Sequence, residues 1–186
     1  MGVTPVSGPR RRAPHRAGRR AAATARGTAR ARLGGSATPH RVIVLSAEGR
    51  HFSGGMDLAT FADINSMLET EPGRAAYALR QLILKLQGSL SSLENVHVPV
   101  IAVTHGACLG GAIDLITACD MRVASADTSF GVEEIHIGMA ADVGTLQRLP
   151  KLIPPAIVSE LAYTGRRFSA EEAKTWGLVN SVHADQ

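Results

Sequence analysis

Aromatic residues are scarce, with one Trp, two Tyr and four Phe in 186 residues. A core has to be built mainly from aliphatic side chains, and at 45% apolar the chain has enough of them for about one domain. Only two cysteines occur, Cys108 and Cys119, which excludes a disulfide-stapled miniprotein and a four-thiolate zinc site. No uninterrupted run of about 18 apolar residues exists, so no membrane-spanning helix is expected. Acids are missing altogether from residues 1–41, which hold ten arginines and no lysine. All sixteen Asp and Glu lie beyond, alongside the other ten basic residues. The net charge of +4 and the pI near 9.6 therefore describe the leader, while the rest of the chain is acidic.

Residues 1–40 are rich in Arg, Ala, Gly, Ser, Thr and Pro and poor in large apolar side chains. Such a segment cannot offset its chain entropy by burial, so disorder is expected. The arginines would attract phosphate, but no aromatic residue is there to stack on a base, which argues against nucleic acid. No apolar stretch follows the arginines, which argues against secretion. An organelle transit peptide and a non-native extension remain as readings.

Beyond the leader, strands are expected at 42–45, a short and mostly β-branched apolar run, at 98–103, a second buried run with Pro99 near its start, and at 121–124. Helices are expected at 57–67 and 112–119. A longer amphipathic one at 74–94 carries its apolar stripe on Leu79, Leu82, Ile83, Leu86, Leu90 and Leu93. The alternation points to an α/β fold with parallel strands. Two strand–helix junctions share a design of small residues and glycines: Ser53-Gly54-Gly55-Met56, and Leu109-Gly110-Gly111-Ala112 within a glycine-rich turn over 105–111. Glycine lets backbone approach a ligand, and a helix start presents unpaired N–H groups. Two such groups aimed at one point would stabilise charge developing on a carbonyl oxygen.

Three acids in apolar surroundings follow: Asp114, Glu134 and Asp142. Such a setting disfavours the charged form and suits a carboxyl to proton transfer near neutral pH. Composition does not say which of Glu133 and Glu134 faces inward. His51, His105 and His136 form no tight ligand pattern, so no metal is expected. Cys108 and Cys119 read as small core residues. Ser53 stands in Phe-Ser-Gly-Gly, not in the Gly-x-Ser-x-Gly of a hydrolase elbow.

The blocks RVIVLSAEGRHFSGGMDL (41–58), VPVIAVTHGACLGGAIDLITACDMRVASADTSFGVEEIHIGMAADVGTLQRLPKLI (98–153) and GRRFSAEEAKTWGLVNSV (165–182) together resemble the crotonase, or enoyl-CoA hydratase/isomerase, superfamily. Within it, GAIDLITACDMR and MAADVGTLQRLPK are most similar to the Δ3,5-Δ2,4-dienoyl-CoA isomerases. The resemblance implies a crotonase-like ββα spiral core over 41–186, apparently truncated at both ends and lacking the C-terminal trimerisation helices. It implies a shift of double bonds from 3,5-dienoyl-CoA to 2,4-dienoyl-CoA in fatty acid β-oxidation. The alternatives are an enoyl-CoA hydratase and an inactive truncated member.

On this resemblance the backbone N–H groups of Met56 and Gly111 form the oxyanion hole, and Ser53, Gly54, Gly55 and Gly110 contact substrate. Glu134 works near C2, Asp142 near C6, and Asp114 orients or tunes the pair, leaving Glu133 as the outward neighbour. The partner is an acyl-CoA, whose coenzyme A belongs to the substrate, and no further cofactor is implied. Intact members form trimers or hexamers, which the missing helices would compromise here by exposing apolar surface. Membrane and nucleic-acid partners are not implied. The compartment would be cytoplasmic in a bacterium, and mitochondrial matrix or peroxisome in a eukaryote.

Overall fold

The computed structural model describes residues 41–57 and 71–184, together with the backbone of two short leader strands, β1 (Gly2–Thr4) and β2 (Arg30–Ala31). The helix expected at 57–67 lies almost entirely outside the described residues, as does the rest of the leader. The ordered elements that follow are β3 (Ile43–Ser46), α1 (Pro72–Ser91), β4 (Val100–Thr104), β5 (Ala107–Leu109), α2 (Gly111–Thr117), β6 (Met121–Ser125) and β7 (Ser129–Gly131). A 3-10 helix, Glu134–Ile137, leads to α3 (Thr145–Arg148) and a second 3-10 turn, Leu149–Lys151. The chain continues through α4 (Pro155–Thr164), β8 (Arg167–Ser169), α5 (Ala170–Trp176) and β9 (Ser181–His183).

Two sheets result. The larger has the order β2-β1-β3-β4-β6-β9, and β3, β4, β6 and β9 run parallel. The smaller has the order β5-β7-β8. A strand of the large sheet is followed at once by a strand of the small one, as β4 by β5 and β6 by β7, and a helical segment then returns the chain. This is the ββα repeat. Ser53 makes the corresponding small-sheet step after β3, as a parallel bridge to Cys108. The 105–111 segment is therefore not simply a turn: Ala107–Leu109 is a strand, held by pairing to β7 that no local pattern announces.

Leu45, Val100, Ala102, Ile113, Ile116 and Leu149 meet in one aliphatic core. On β4 burial alternates, with Val100, Ala102 and Thr104 inward and Ile101 and Val103 only half-covered. The scarce aromatics are concentrated at the small sheet. Phe130 and Phe168 are register partners stacked at 5.4 Å, and Trp176 lies 5.2 Å beyond Phe168. The block FSAEEAKTWGLV is a helix capped at both ends. Ser169 and Glu172 form a reciprocal capping box, Gly177 closes the helix, and Leu178 and Val179 are buried. The stripe expected on α1 is half-buried along its length, and Ala75 is the helix's buried residue. Past Glu134, Ile135 and Ile137 are 44% and 49% exposed.

Arg122 on β6 ties the core together. Its buried guanidinium donates through Nε to the Leu178 carbonyl at 2.6 Å and through Nη1 to the Cys119 and Ile116 carbonyls at 2.6 and 3.3 Å. Two of these carbonyls lie at the C-terminal end of α2, where a cation is favoured. Arg122→Met should strip the Leu178 and Cys119 carbonyls of this donor, while the Ile116 carbonyl keeps the Cys119 N–H, and cost about 3 kcal/mol, read as a lowered midpoint in urea unfolding.

Candidate active site

The two glycine loops converge. Ser53 donates its N–H to the Ala107 carbonyl at 2.9 Å and accepts at its own carbonyl from Leu109 N–H at 3.0 Å, which pins the first loop along β5. The second loop starts where β5 ends. A Cβ placed on Gly55 would stand 3.0 Å from the Leu109 carbonyl oxygen and 3.4 Å from the Gly111 nitrogen. A Cβ on Gly111 would stand 3.7 Å from the Met56 nitrogen. Any larger residue at 55 would push the loops apart. Gly110, the N-cap of α2, takes φ 53° and ψ −123°, a conformation open to glycine. Gly111 is the first helical residue, and among the described residues neither its N–H nor that of Met56 donates to a carbonyl. Two adjacent unpaired amides, one of them at a helix start, can stabilise a developing oxyanion.

Glu134 reaches the same point from β7. Phe130 and Val132 are buried, so the chain is anchored before the two acids diverge. Glu133 turns outward and pairs with Arg167 at 2.7 Å. Glu134 turns inward, its Oε1 3.6 Å from where a Cβ on Gly110 would stand. Its Oε2 is buried and has no hydrogen-bond partner. Burial, reinforced by the charges of Asp114 and Glu133, pushes its pKa up to about 7.

Asp114, on the first turn of α2, is 2% exposed. Burial raises its pKa, and the nearby Asp142 charge adds to the rise. Its Oδ1 accepts from Thr145 N–H at 2.5 Å. Gly144, the N-cap of α3, has no side chain to cap that helix, so Asp114 caps it from another element. Asp142 lies just before this junction and is half-exposed. The three acids thus belong to one electrostatic neighbourhood, and Glu134 is the one whose inward oxygen lacks a partner. Ser53 is buried and its hydroxyl accepts from Gly55 N–H at 3.2 Å, bracing the first loop from within. Gly54 is exposed at its edge.

Other candidates take structural places. His105 Nε2 meets the Gly49 carbonyl at 2.9 Å, His51 Nδ1 accepts from Ala107 N–H, and His136 Nε2 meets the Gly165 carbonyl. Among the described residues no group of three His, Cys, Asp or Glu is arranged to hold a metal. Cys108 and Cys119 are buried thiols whose pKa values burial raises. Thr145 and the buried Arg148 beside it were not singled out by the sequence, since nothing local marks either as bound to a distant acid.

Residues 36–186 match the family described as Enoyl-CoA hydratase/isomerase. The chain belongs to that family. It is 46% identical over 143 residues to the peroxisomal Δ3,5-Δ2,4-dienoyl-CoA isomerase of Arabidopsis thaliana, covering 76% of this chain and 51% of the relative. It is 44% identical over 148 residues to the mitochondrial Δ3,5-Δ2,4-dienoyl-CoA isomerase of Homo sapiens, covering 78% and 45%. The crystal structure of enoyl-CoA hydratase from Bacillus anthracis superposes with a TM-score of 0.67 at 35% identity, covering 78% of this chain and 53% of that one. The chain spans about half the length of the curated relatives it matches. The crotonase-like fold read from the sequence blocks is the fold observed.

The Glu134 carboxyl has a pH signature of its own. Its folded pKa is raised above the ordinary value, so its contribution to stability is complete below about pH 4.5 and is lost as pH rises through about 7. Glu134→Gln should remove that dependence and raise stability at pH 8 by on the order of 1–2 kcal/mol after solvent screening. Unfolding midpoints of both proteins at pH 5 and pH 8 check this.

Proposed function

We propose that the chain catalyses the isomerisation of a 3,5-dienoyl-CoA to a 2,4-dienoyl-CoA by proton transfer between carboxylates. The observation that carries this is the half-buried Glu134 carboxyl, with a buried Oε2 that has no hydrogen-bond partner, beside two adjacent unpaired amides. A thioester oxygen held by the Met56 and Gly111 N–H groups makes the neighbouring C2 proton removable, because the resulting enolate charge sits on fixed dipoles. Ser53, Gly54, Gly55 and Gly110 shape the loops around that oxygen. Glu134, poised near neutrality, takes the C2 proton.

The electron pair then spreads along the conjugated chain to C6, where Asp142 delivers the second proton. The C3 and C5 double bonds become C2 and C4 double bonds. One proton leaves and one arrives, so no electrons are gained or lost and two acids suffice. Exchange with solvent restores Glu134 and Asp142. Asp114 holds the junction that carries Asp142 and tunes both partners by its charge. In a hydratase two acids would grip one water, and the engagement of Asp114 with the Thr145 amide speaks against that use. The names of the relatives support the substrate class, and they place those proteins in peroxisome and mitochondrion.

Ultraviolet absorbance of the 2,4-dienoyl product tests the proposal. The purified chain should convert a 3,5-dienoyl-CoA, with a rate that rises with pH through about 7 as Glu134 ionises. Asp142→Asn should lower the rate by a factor of at least about 100 while leaving any hydration of a 2-enoyl-CoA intact. Equal loss of both activities, or hydration with no isomerisation in the unmodified chain, would overturn the assignment.

A further inference from the structure

Asp142 lies between Ala141, which is buried, and a helix whose N-cap has no side chain. Little in this segment fixes a side chain by itself. Its local backbone bonds are few: Met139 N–H to the Glu134 carbonyl, Asp142 N–H to the Ala140 carbonyl only two residues away, and a long one of 3.4 Å from Leu146 N–H to the Ala141 carbonyl. The segment is instead held from outside. On one side, Asp114 accepts from Thr145 N–H. On the other, Gln87 of α1 donates through Nε2 to the Asp142 carbonyl at 2.6 Å, across 55 residues of chain.

Gln87 does not act alone on α1. Ser91, the last residue of the helix, and Glu94, in the turn just past its C-cap, follow at steps of four and three residues. Both accept from Arg148 Nη2, at 2.8 and 2.7 Å. The Arg148 guanidinium lies against Gly144, where a Cβ would overlap Nη1 and stand 3.7 Å from Asp114 Oδ1. The apolar stripe of α1 is only half-buried, and these directed polar contacts tie the end of the helix to the 142–148 segment.

We propose that Gln87 is a positioning residue for Asp142. Its side-chain amide fixes the Asp142 backbone, and the Ser91–Arg148–Glu94 contacts anchor the helix from which it reaches. The catalytic half of this inference rests on the isomerase reading above. Gln87 touches no substrate in that reading. Losing its amide should misplace the C6 acid and leave the C2 half of the site, Glu134 with its two amides, undisturbed.

Two readouts on the full chain separate the cases. The first is amide hydrogen exchange, which needs no activity. Gln87→Met, close in volume but without a donor, should speed exchange across residues 139–145 about tenfold, with α2 and α4 unchanged. Gln87→Lys, which keeps a donor, should restore protection. The second compares formation of the 2,4-dienoyl product with deuterium exchange at C2 of the same acyl-CoA. Gln87→Met should lower kcat for isomerisation by roughly 10- to 100-fold, with KM and C2 exchange nearly unchanged.

Unchanged hydrogen exchange over 139–145 overturns the inference, whatever the activity. Equal falls in isomerisation and C2 exchange also overturn it, because they mark a general loss of structure. C2 exchange without isomerisation in the unmodified chain overturns the isomerase reading instead. The hydrogen-exchange result then still decides whether Gln87 holds the segment.

Discussion

The site depends on the close approach of two backbone loops along a three-residue strand. β5 carries Ser53 on one edge and β7 on the other, and its end opens into α2. The first loop brings Met56, the end of the strand brings Gly111, and β7 delivers Glu134. Gly110 N–H donates to the Gly131 carbonyl at 2.8 Å, closing the gap between the second loop and the strand that carries the acid. All three chemical groups are therefore referenced to one small sheet. The large parallel sheet supports this arrangement without contributing a side chain to it. A Cβ at Gly55 would press on the Leu109 carbonyl, so the approach tolerates no side chain there.

Electrostatics follows from that geometry. Asp114 and Glu134 are both withdrawn from water, and both have raised pKa values for that reason. They differ in what satisfies them. Asp114 has the Thr145 amide and the Arg148 charge nearby, and it serves as the cap of α3. Glu134 has an inward oxygen with nothing bound to it. An unsatisfied buried acceptor is costly, and in the proposed reading this oxygen is where the transferred proton is held. In the reading proposed here, division of labour among the three acids is set by partners rather than by residue type.

Much of this was legible in the sequence, and for identifiable reasons. The strands at 43–46 and 100–104 are short, mostly apolar runs, and the caps of α5 are spelled out by Ser169, Glu172 and Gly177. The glycine pairs at 54–55 and 110–111 announced backbone approach, though only coordinates bring them to one point. β5 was hidden because three residues held by long-range pairing carry no periodicity. The choice between Glu133 and Glu134 was closed to composition, since it depends on Arg167 arriving from β8. Gln87, Ser91 and Glu94 are polar positions beside the apolar stripe to which the sequence pattern assigns no role. Their partners lie more than 50 residues away, where no local pattern can point.

The central claim is that the Met56 and Gly111 amides jointly hold an acyl oxygen. Nitrogen-15 NMR of the full chain, titrated with a non-reactive acyl-CoA thioester, tests it most directly. The account predicts that both amide protons move downfield together with one saturation curve, as two donors to a single oxygen must. A shift at only one of them, or none at either while the thioester binds elsewhere, would contradict it.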